Sequence, residues 1–503
     1  MSIMTKEEFC KYAEQGNLIP VQFEVPADTE TPVTAYWKIT NNGDCCGKYS
    51  FLLESVEGGE NIGRYSFLGS DPKSVFIHNS NGSSKLIHND GTAEEIEGSD
   101  VFEKVRKIID RYKPVEIPGL PPFTGGAVGY TSYDVVSEFE TTVPVPENDP
   151  VGAPDAVFMI TDSILVFDKV KHTIDIIIQA YIPDGREPSS VYDETVLKID
   201  KIKKQLQSPA TFQPVELDDS PEDINFTSNK TKEEFHEMVK RAKKLIYDGD
   251  IIQVVLSQRF ETDISVHPLS VHRALRMLNP SPYMFLLSCG DFSLVGASPE
   301  VHAKCVDRKI TVRPIAGTRK RGKTPEEDLE LQEDLLADPK ERAEHIMLVD
   351  LGRNDVGRIA KTGSVKVDEL MIIEKYSHVI HIVSNVTAVL DDQYAADAVM
   401  RSTFPAGTLS GAPKVRAMQI ISEQEKEKRG PYGGAVVHFS FNGNLNSCIT
   451  IRTAVLKDGK AYVQAGAGIV ADSDPDSEYT ETINKAKAMM KSLSLSKNFV
   501  NPE

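Results

Sequence analysis

Much that would place a chain outside the ordinary globular enzymes is scarce in this sequence. It has one tryptophan and six cysteines in 503 residues. Cys10, Cys45, Cys46, Cys289, Cys305 and Cys448 form no C-x-x-C pair and are too sparse for a disulfide framework. Reduced thiols in a cytoplasmic setting are the expectation. No apolar run is long enough to cross a bilayer, and residues 1–15 carry no apolar stretch of the kind found in a secretory signal. Internal repeats and low-complexity tracts are absent. Positive charge is also in deficit, with 56 Lys and Arg against 75 Asp and Glu and a net charge of −19. Such a balance repels phosphate backbones and anionic lipid, so no nucleic acid and no membrane is expected as a partner. An anionic ligand would need positive charge or backbone N–H groups concentrated locally.

What is present is a large globular chain, 40% hydrophobic, suited to two or more core units. Residues 207–229 are rich in Pro, Asp, Ser and Asn and read as a linker between residues 1–206 and 230–495. The first part holds strand-like runs at 157–167 and 173–181. The second opens on a helix, with Thr231 and Glu234 at capping-box spacing and Phe235, Met238, Val239, Ala242, Leu245 and Ile246 at helical period. Gly249-Asp250 ends it, and 251–260 reads as a buried strand. Asp338-Pro339 begins a helix to about residue 351, and Asp474-Pro475 begins the last, toward 493. Strands are predicted at 378–386, 434–441, 448–456 and 461–470, with Asn442-Gly443 and Asp458-Gly459 as hairpin turns. The class is α+β, with large, mostly antiparallel sheets packed with helices.

Several motifs fail as their nearest textual match. Gly466-Ala467-Gly468-Ile469-Val470-Ala471 has G-x-G-x-x-A form, but Asp472, Asp474, Pro475 and Asp476 follow where a dinucleotide site needs a helix. A bare turn able to offer N–H groups to a carboxylate is left. Those aspartates begin like a calcium loop but lack its glycine, and Ile483 stands at its twelfth position. Residues 407–414 miss the second P-loop glycine, leaving a small-residue anion cradle before a helix. The basic run Arg313, Arg319, Lys320, Arg321 and Lys323 reads as a solvated loop. On the last helix Glu478, Glu481 and Lys485 share a face, opposite Tyr479, Ile483, Ala486 and Met490; on the earlier one Glu341, Glu344, His345 and Leu348 share a side. Two glutamates from separate helices could give Mg²⁺ its hard oxygen ligands. His378 and His381 lie in an apolar strand, where a satisfied core histidine is the ordinary reading. The residues alone reach an anion-handling α+β enzyme with a possible metal requirement.

From Lys230 to Met490 the chain resembles the chorismate-utilising enzymes. The resemblance rests on Ser298-Pro299-Glu300, Pro314-Ile315-Ala316-Gly317-Thr318, Glu344-His345, and Asp350-Leu351-Gly352-Arg353-Asn354-Asp355. It continues through 407–414, Tyr432-Gly433-Gly434-Ala435, Ile451-Arg452-Thr453-Ala454, 466–469 and 478–487. Two positions separate the chemistries within the family. Ala316 stands where members making aminodeoxychorismate commonly carry a nucleophilic lysine. Gln253 stands where members adding water carry a general-base lysine, and an amide cannot take a proton at neutral pH. The resemblance therefore implies a Mg²⁺-dependent lyase that aminates chorismate directly with ammonia, giving anthranilate and pyruvate at the first committed step of L-tryptophan biosynthesis. The alternatives are an aminodeoxychorismate-forming enzyme, disfavoured by Ala316, and a non-catalytic tryptophan-binding relative, which would have lost some of Glu300, Glu344, His381, Arg452 and Glu481.

The resemblance also implies roles. Glu344 and Glu481 would hold Mg²⁺ against the ring carboxylate, with backbone N–H groups of Gly466, Ala467 and Gly468 assisting. Arg452 and Tyr432 would hold the enolpyruvyl carboxylate. Gly317, Thr318, Thr408 and Lys485 would line the same pocket, with Glu300 as acid and His381 as base. Residues 1–206 resemble the regulatory region of tryptophan-inhibited members through Leu52-Leu53-Glu54-Ser55 and 63–69. Ser55, Pro282, Tyr283 and Met284 would bind L-tryptophan as feedback inhibitor. A separate glutamine amidotransferase subunit is the partner the resemblance implies, in a heterotetramer.

Overall fold

In the computed structural model, two twelve-stranded sheets pack face to face among the described residues, which are 4–40, 48–55, 63–80, 82–210, 212, 215, 224–376 and 379–499. His378, the Cys45–Cys46 pair and residues 211, 213, 214 and 216–223 of the linker-like segment lie outside them. Every pairing between the described strands is antiparallel. The class is α+β, as the turn chemistry suggests: Asn442-Gly443 joins Ala435–Ser440 to Leu445–Ile449, and Asp458-Gly459 joins Thr453–Lys457 to Lys460–Ile469.

The first sheet runs from the Leu18–Pro26 edge strand through Thr173–Tyr181, Ser163–Asp168, Tyr65–Ser70 and Tyr49–Glu54. It continues through Tyr283–Cys289, Phe292–Ser298, Thr453–Lys457 and Lys460–Ile469 to Gln253–Asp263. At the heart of the second, Ile315–Lys320 and Lys309–Val312 pair with Val379–Val389, and Val301–Val306, Leu445–Ile449, Ala435–Ser440, Gly126–Thr131 and Ala156–Thr161 follow. Tyr49–Glu54 lies beside Tyr283–Cys289, and Gly126–Thr131 beside Ala435–Ser440. The 207–229 boundary thus divides the sequence but neither sheet.

Both faces of the central strands are covered, so their side chains are apolar almost throughout. In Tyr283–Cys289, Phe285 and Leu287 enter the core between the sheets, while Met284 and Leu286 pack on the opposite face. That outer face of the first sheet is closed by the helices Pro32–Ile39, Pro188–Leu206, Pro268–Leu278 and Pro475–Ser496. Val101–Ile109 and Ala396–Thr403 pack on the outer side of the second, and Lys232–Tyr247 and Lys414–Glu425, which pack on Gln253–Asp263 of the first, join the same core. Thr231 caps Lys232–Tyr247 with Glu234 reciprocating. Asp338 caps a helix that continues to Gly357, past its expected end.

Two of the predicted strands are each split. The 157–167 run is Ala156–Thr161 in the second sheet and Ser163–Asp168 in the first. The 448–456 run is divided between Leu445–Ile449 in the second and Thr453–Lys457 in the first. Phe292–Ser298 and Val301–Val306 likewise belong to different sheets, with Pro299-Glu300 at the crossing. Hydrophobic runs read alike on either side of such a crossing because both sheets bury both faces. The crossings place the functional side chains.

Candidate active site

Two crossings lie side by side. The Ile449 N–H donates to the Glu300 carbonyl at 3.1 Å, and the Ala297 N–H donates to the Arg452 carbonyl at 3.2 Å. Arg452 takes φ +51°, a left-handed conformation unusual for a side chain with a Cβ and found disproportionately at functional sites. It turns the guanidinium into a cavity of about 1110 Å³ at one end of the two sheets. Burial lowers the Arg452 pKa from its ordinary value, with the charges of Glu300, Tyr432 and Glu481 opposing. Its guanidinium has no ion-pair partner within 4 Å among the described residues, so it is available to an anion.

Glu300 lines the same cavity. Burial pushes its carboxyl above the usual range, against the opposing effects of a Thr408 hydroxyl donating at 3.0 Å and the charges of Lys485 and Arg452. A carboxylic acid biased toward holding its proton beside an unpaired cation is suited to general-acid work. Thr408 is presented by a short 3₁₀ turn, Gly407–Leu409. The residues after it build no helix N-terminal cradle facing the cavity: Lys414 is engaged by Asp355 at 2.7 Å and the Thr403 carbonyl at 3.1 Å.

His381 enters from Val379–Val389, opposite Thr318, where a bulge interrupts the pairing with Ile315–Lys320. Its Nδ1 lies 2.8 Å from the Gly317 carbonyl, which fixes the proton on that nitrogen and leaves Nε2 with a lone pair. Burial depresses the imidazole pKa, with the Gly317 bond opposing. The ring meets Tyr376 edge-on at 5.5 Å. His381 is therefore a cavity residue held in one tautomer, not a packed core histidine.

The glycine motif is a strand, not a turn. Gly466, Ala467 and Gly468 lie in Lys460–Ile469, paired with Ser257, Leu256 and Val255. The Thr453–Lys457 strand pairs only as far as Val463, so one edge of 464–469 faces the cavity. The Gly466 carbonyl accepts from Lys485 Nζ at 3.0 Å on that edge. A Cβ on Gly466 would meet the Tyr432 hydroxyl at 2.7 Å, and one on Gly468 the Gln253 amide at 2.7 Å. The glycines make room for those two side chains, while Ala467 points into the core.

Two helices form the acidic wall. Glu341 and Glu344 come from Pro339–Gly357, and Glu478 and Glu481 from Pro475–Ser496. Glu344 accepts from Gln253 at 3.1 Å; burial raises its pKa, and the charges of Glu341 and Glu481 add to that. Glu481 is paired with Lys485 at 2.7 Å. The buried stripe of the last helix runs through Thr482, Ala486, Met489 and Leu493, one step round from the expected one. No group of three or more candidate metal-ligating side chains occurs among the described residues. Hard carboxylate oxygens contributed by two helices nevertheless suit Mg²⁺, which is usually bound by one or two carboxylates and keeps several waters.

Glu300, Gly317, Thr318, Glu344, His381, Thr408, Tyr432, Arg452, Gly466, Gly468, Glu481 and Lys485 all line this one cavity. Ser55, Tyr283 and Met284 line a second cavity of about 390 Å³ between the sheets, and Pro282 borders both. The basic run is no solvated loop: Arg319 pairs with Asp334, Asp338 and Glu341, and Arg321 with Asp328. Sequence reasoning missed Tyr376, Gln464 and the buried pair Glu425–Arg429. Arg429 stands three residues before Tyr432, and that proximity was its only signal. Among the described residues no helix is long and apolar enough to cross a membrane, and Cys10, Cys289, Cys305 and Cys448 are free thiols.

A sequence family described as chorismate binding enzyme matches residues 48–491. The chain is 48% identical over 494 residues to a protein of Acetivibrio thermocellus named anthranilate synthase component 1, covering 97% of this chain and 98% of that one. It is 46% identical to the protein of the same name from Aquifex aeolicus (strain VF5), covering 98% of each. Among solved structures, anthranilate synthase component I from Streptococcus pneumoniae TIGR4 superposes with a TM-score of 0.75 at 39% identity, over 85% of this chain and 92% of that one.

Proposed function

The chain belongs to the chorismate-binding enzyme family, and on that premise we infer that it aminates chorismate with ammonia to give anthranilate and pyruvate, opening L-tryptophan biosynthesis. The observation that carries this reading is the near-full-length identity to relatives of one name, at 46–48%. The cavity agrees with it: Gln253 and Ala316 line it, and neither supplies an amine for a covalent or water-activating route.

Chorismate carries two carboxylates, a ring hydroxyl and an enolpyruvyl ether. The Arg452 guanidinium grips the enolpyruvyl carboxylate, with the Tyr432 hydroxyl beside it. Glu300, oriented by Thr408, gives its proton to the C4 oxygen, which leaves as water while ammonia bonds to ring C2. His381 Nε2 then takes the C2 proton as the C3–O bond breaks and the ring becomes aromatic; the departing enolpyruvate takes a proton at its methylene carbon to become pyruvate, and the added nitrogen gives up its extra proton to water. Glu344 and Glu481 would hold Mg²⁺ near the ring carboxylate. When bound, that ion supplies charge neutralisation and electron withdrawal of Lewis-acid type. Lys485, tied to Gly466, keeps the edge of the strand fixed.

The second cavity suits L-tryptophan as a feedback inhibitor. Ser55 and Asn446 offer polar groups, and Tyr283 and Phe67 an aromatic wall, with Met284 bordering the cavity beside Tyr283. Pro282, on the rim of both cavities, supports communication between them. The relatives' designation as component 1 supports a second component, here read as a glutamine amidotransferase subunit in a cytoplasmic heterotetramer. Product identification tests the reading: with chorismate, ammonia and Mg²⁺, fluorescent anthranilate is expected, suppressed by added tryptophan. Isochorismate or aminodeoxychorismate as the product refutes the reaction, and undiminished turnover with tryptophan refutes the inhibitor site.

A further inference from the structure

Arg429 is among the largest fully buried side chains described. Its Nε and Nη2 donate to the Glu425 carboxylate at 2.8 and 2.6 Å, and Nη2 also donates to the Val255 carbonyl at 2.8 Å. Its Nη1 donates to the Leu409 carbonyl at 2.7 Å. The guanidinium carbon lies 4.6 Å from the Tyr133 ring centre and 5.6 Å from that of Tyr432. Glu425 in turn accepts from the Ser257 N–H and hydroxyl at 2.8 and 2.9 Å, and that hydroxyl accepts from Gln464 at 2.8 Å.

The Tyr133 ring apart, these contacts end on or within two residues of groups that line the cavity, Val255, Leu409, Tyr432 and Gln464 among them. Leu409 follows Thr408, the donor to Glu300. Tyr432 presses its hydroxyl on the Gly466 backbone, Gln464 lines the cavity, and Val255 is two residues from Gln253. Buried ion pairs seldom add stability over an apolar substitute of equal volume, so packing alone does not account for one here. A planar fork with five donors in fixed directions can instead set three backbone segments in register.

We propose that Arg429, clamped by Glu425, is the positioning residue of this active site, holding the Thr408–Leu409 turn and the Tyr432 ring in their working places relative to Glu300 and Arg452. The proposal rests on the reaction inferred above. Arg429→Lys keeps the charge against Glu425 but cannot reach both carbonyls in one plane. With ammonia as donor and the full chain, kcat for anthranilate is expected to fall about 10²-fold, with KM for chorismate changed less than about threefold. The pH profile is expected to move too. With the Thr408 bond slackened, Glu300 holds its proton to higher pH, so the alkaline limb it sets shifts upward. Glu425→Gln, which keeps both carbonyl bonds of Arg429 but frees the fork to turn, should show the same limb shift with a smaller loss. Wild-type kcat and pH profile in either folded variant overturn the proposal. So does failure of both to yield folded protein, which would assign the pair to folding. A wild-type chain that makes no anthranilate refutes the reaction itself, a separate outcome.

Discussion

At the scale of single residues, the site is a set of groups held in disfavoured states. Glu300 is a carboxyl in a place that penalises its charge, and this couples stability to function with a definite sign. Its folded pKa lies above the ordinary carboxylate value. The stability it contributes is therefore fully present below the unfolded pKa of about 4.3 and is lost as pH rises through the folded pKa. Glutamine has the same shape and no charge to bury. Glu300→Gln is thus expected to lower turnover by about 10²- to 10⁴-fold while raising the melting temperature at about pH 8, the gain vanishing near pH 4. Thermal melts across that range check the sign; a variant less stable than wild type at the higher pH contradicts the account of Glu300 as a destabilised acid. Most of these residues could be picked out because they stand in motifs of the family. Their physical reasons could not. Gly466 and Gly468 are glycines because Tyr432 and Gln253, distant in sequence, press on them. His381 is indistinguishable from a core histidine until the Gly317 carbonyl is seen 2.8 Å from Nδ1.

At the scale of elements, helices were legible and the sheet crossings were not. Thr231, Asp338 and Asp474 cap their helices through local hydrogen bonds, so the signal lies within a few residues. The crossings at Pro299-Glu300 and 450–452 have no local signature, since apolar residues continue on both sides. The same limit applied to the glutamates: helical spacing puts Glu341 beside Glu344 and Glu478 beside Glu481, but only the packing of the two helices brings the pairs to one cavity. An assembled acidic wall predicts a binding response that does not depend on turnover. Mg²⁺ at about a hundred times its dissociation constant should stabilise the wild-type chain by about 2.7 kcal/mol, visible as a rise in melting temperature. Glu344→Gln and Glu481→Gln should each lose most of that rise, and Glu344→Gln should gain stability without metal from relief of charge burial and like charge. An undiminished Mg²⁺-dependent shift in both variants would place the ion elsewhere.

At the scale of the whole molecule, the composition shift at 207–229 suggests two parts, and the strand order shows how they are interleaved. Phe51 and Leu52 from the first part pack with Phe285 and Leu286 from the second, and Val128 with Val436. Each part alone would expose long unpaired strand edges and both faces of a sheet that the other part covers. The second cavity is shared in the same way, with Ser55 and Tyr65 on one side and Tyr283, Met284 and His438 on the other. On the inhibitor reading proposed above, a ligand there would touch strands that lead directly to Pro282 and the larger cavity, a short mechanical path without a hinge between domains. The interleaving has a direct consequence for dissection. Residues 1–206 and 230–503 produced separately are expected to show no cooperative thermal transition, whereas the two produced together should associate and recover one. A cooperative melt from residues 230–503 alone, with ammonia-dependent turnover, would mean that the C-terminal strands close their sheets without Tyr49–Glu54 and Gly126–Thr131, and the shared-sheet account of how the two cavities communicate would fall with it.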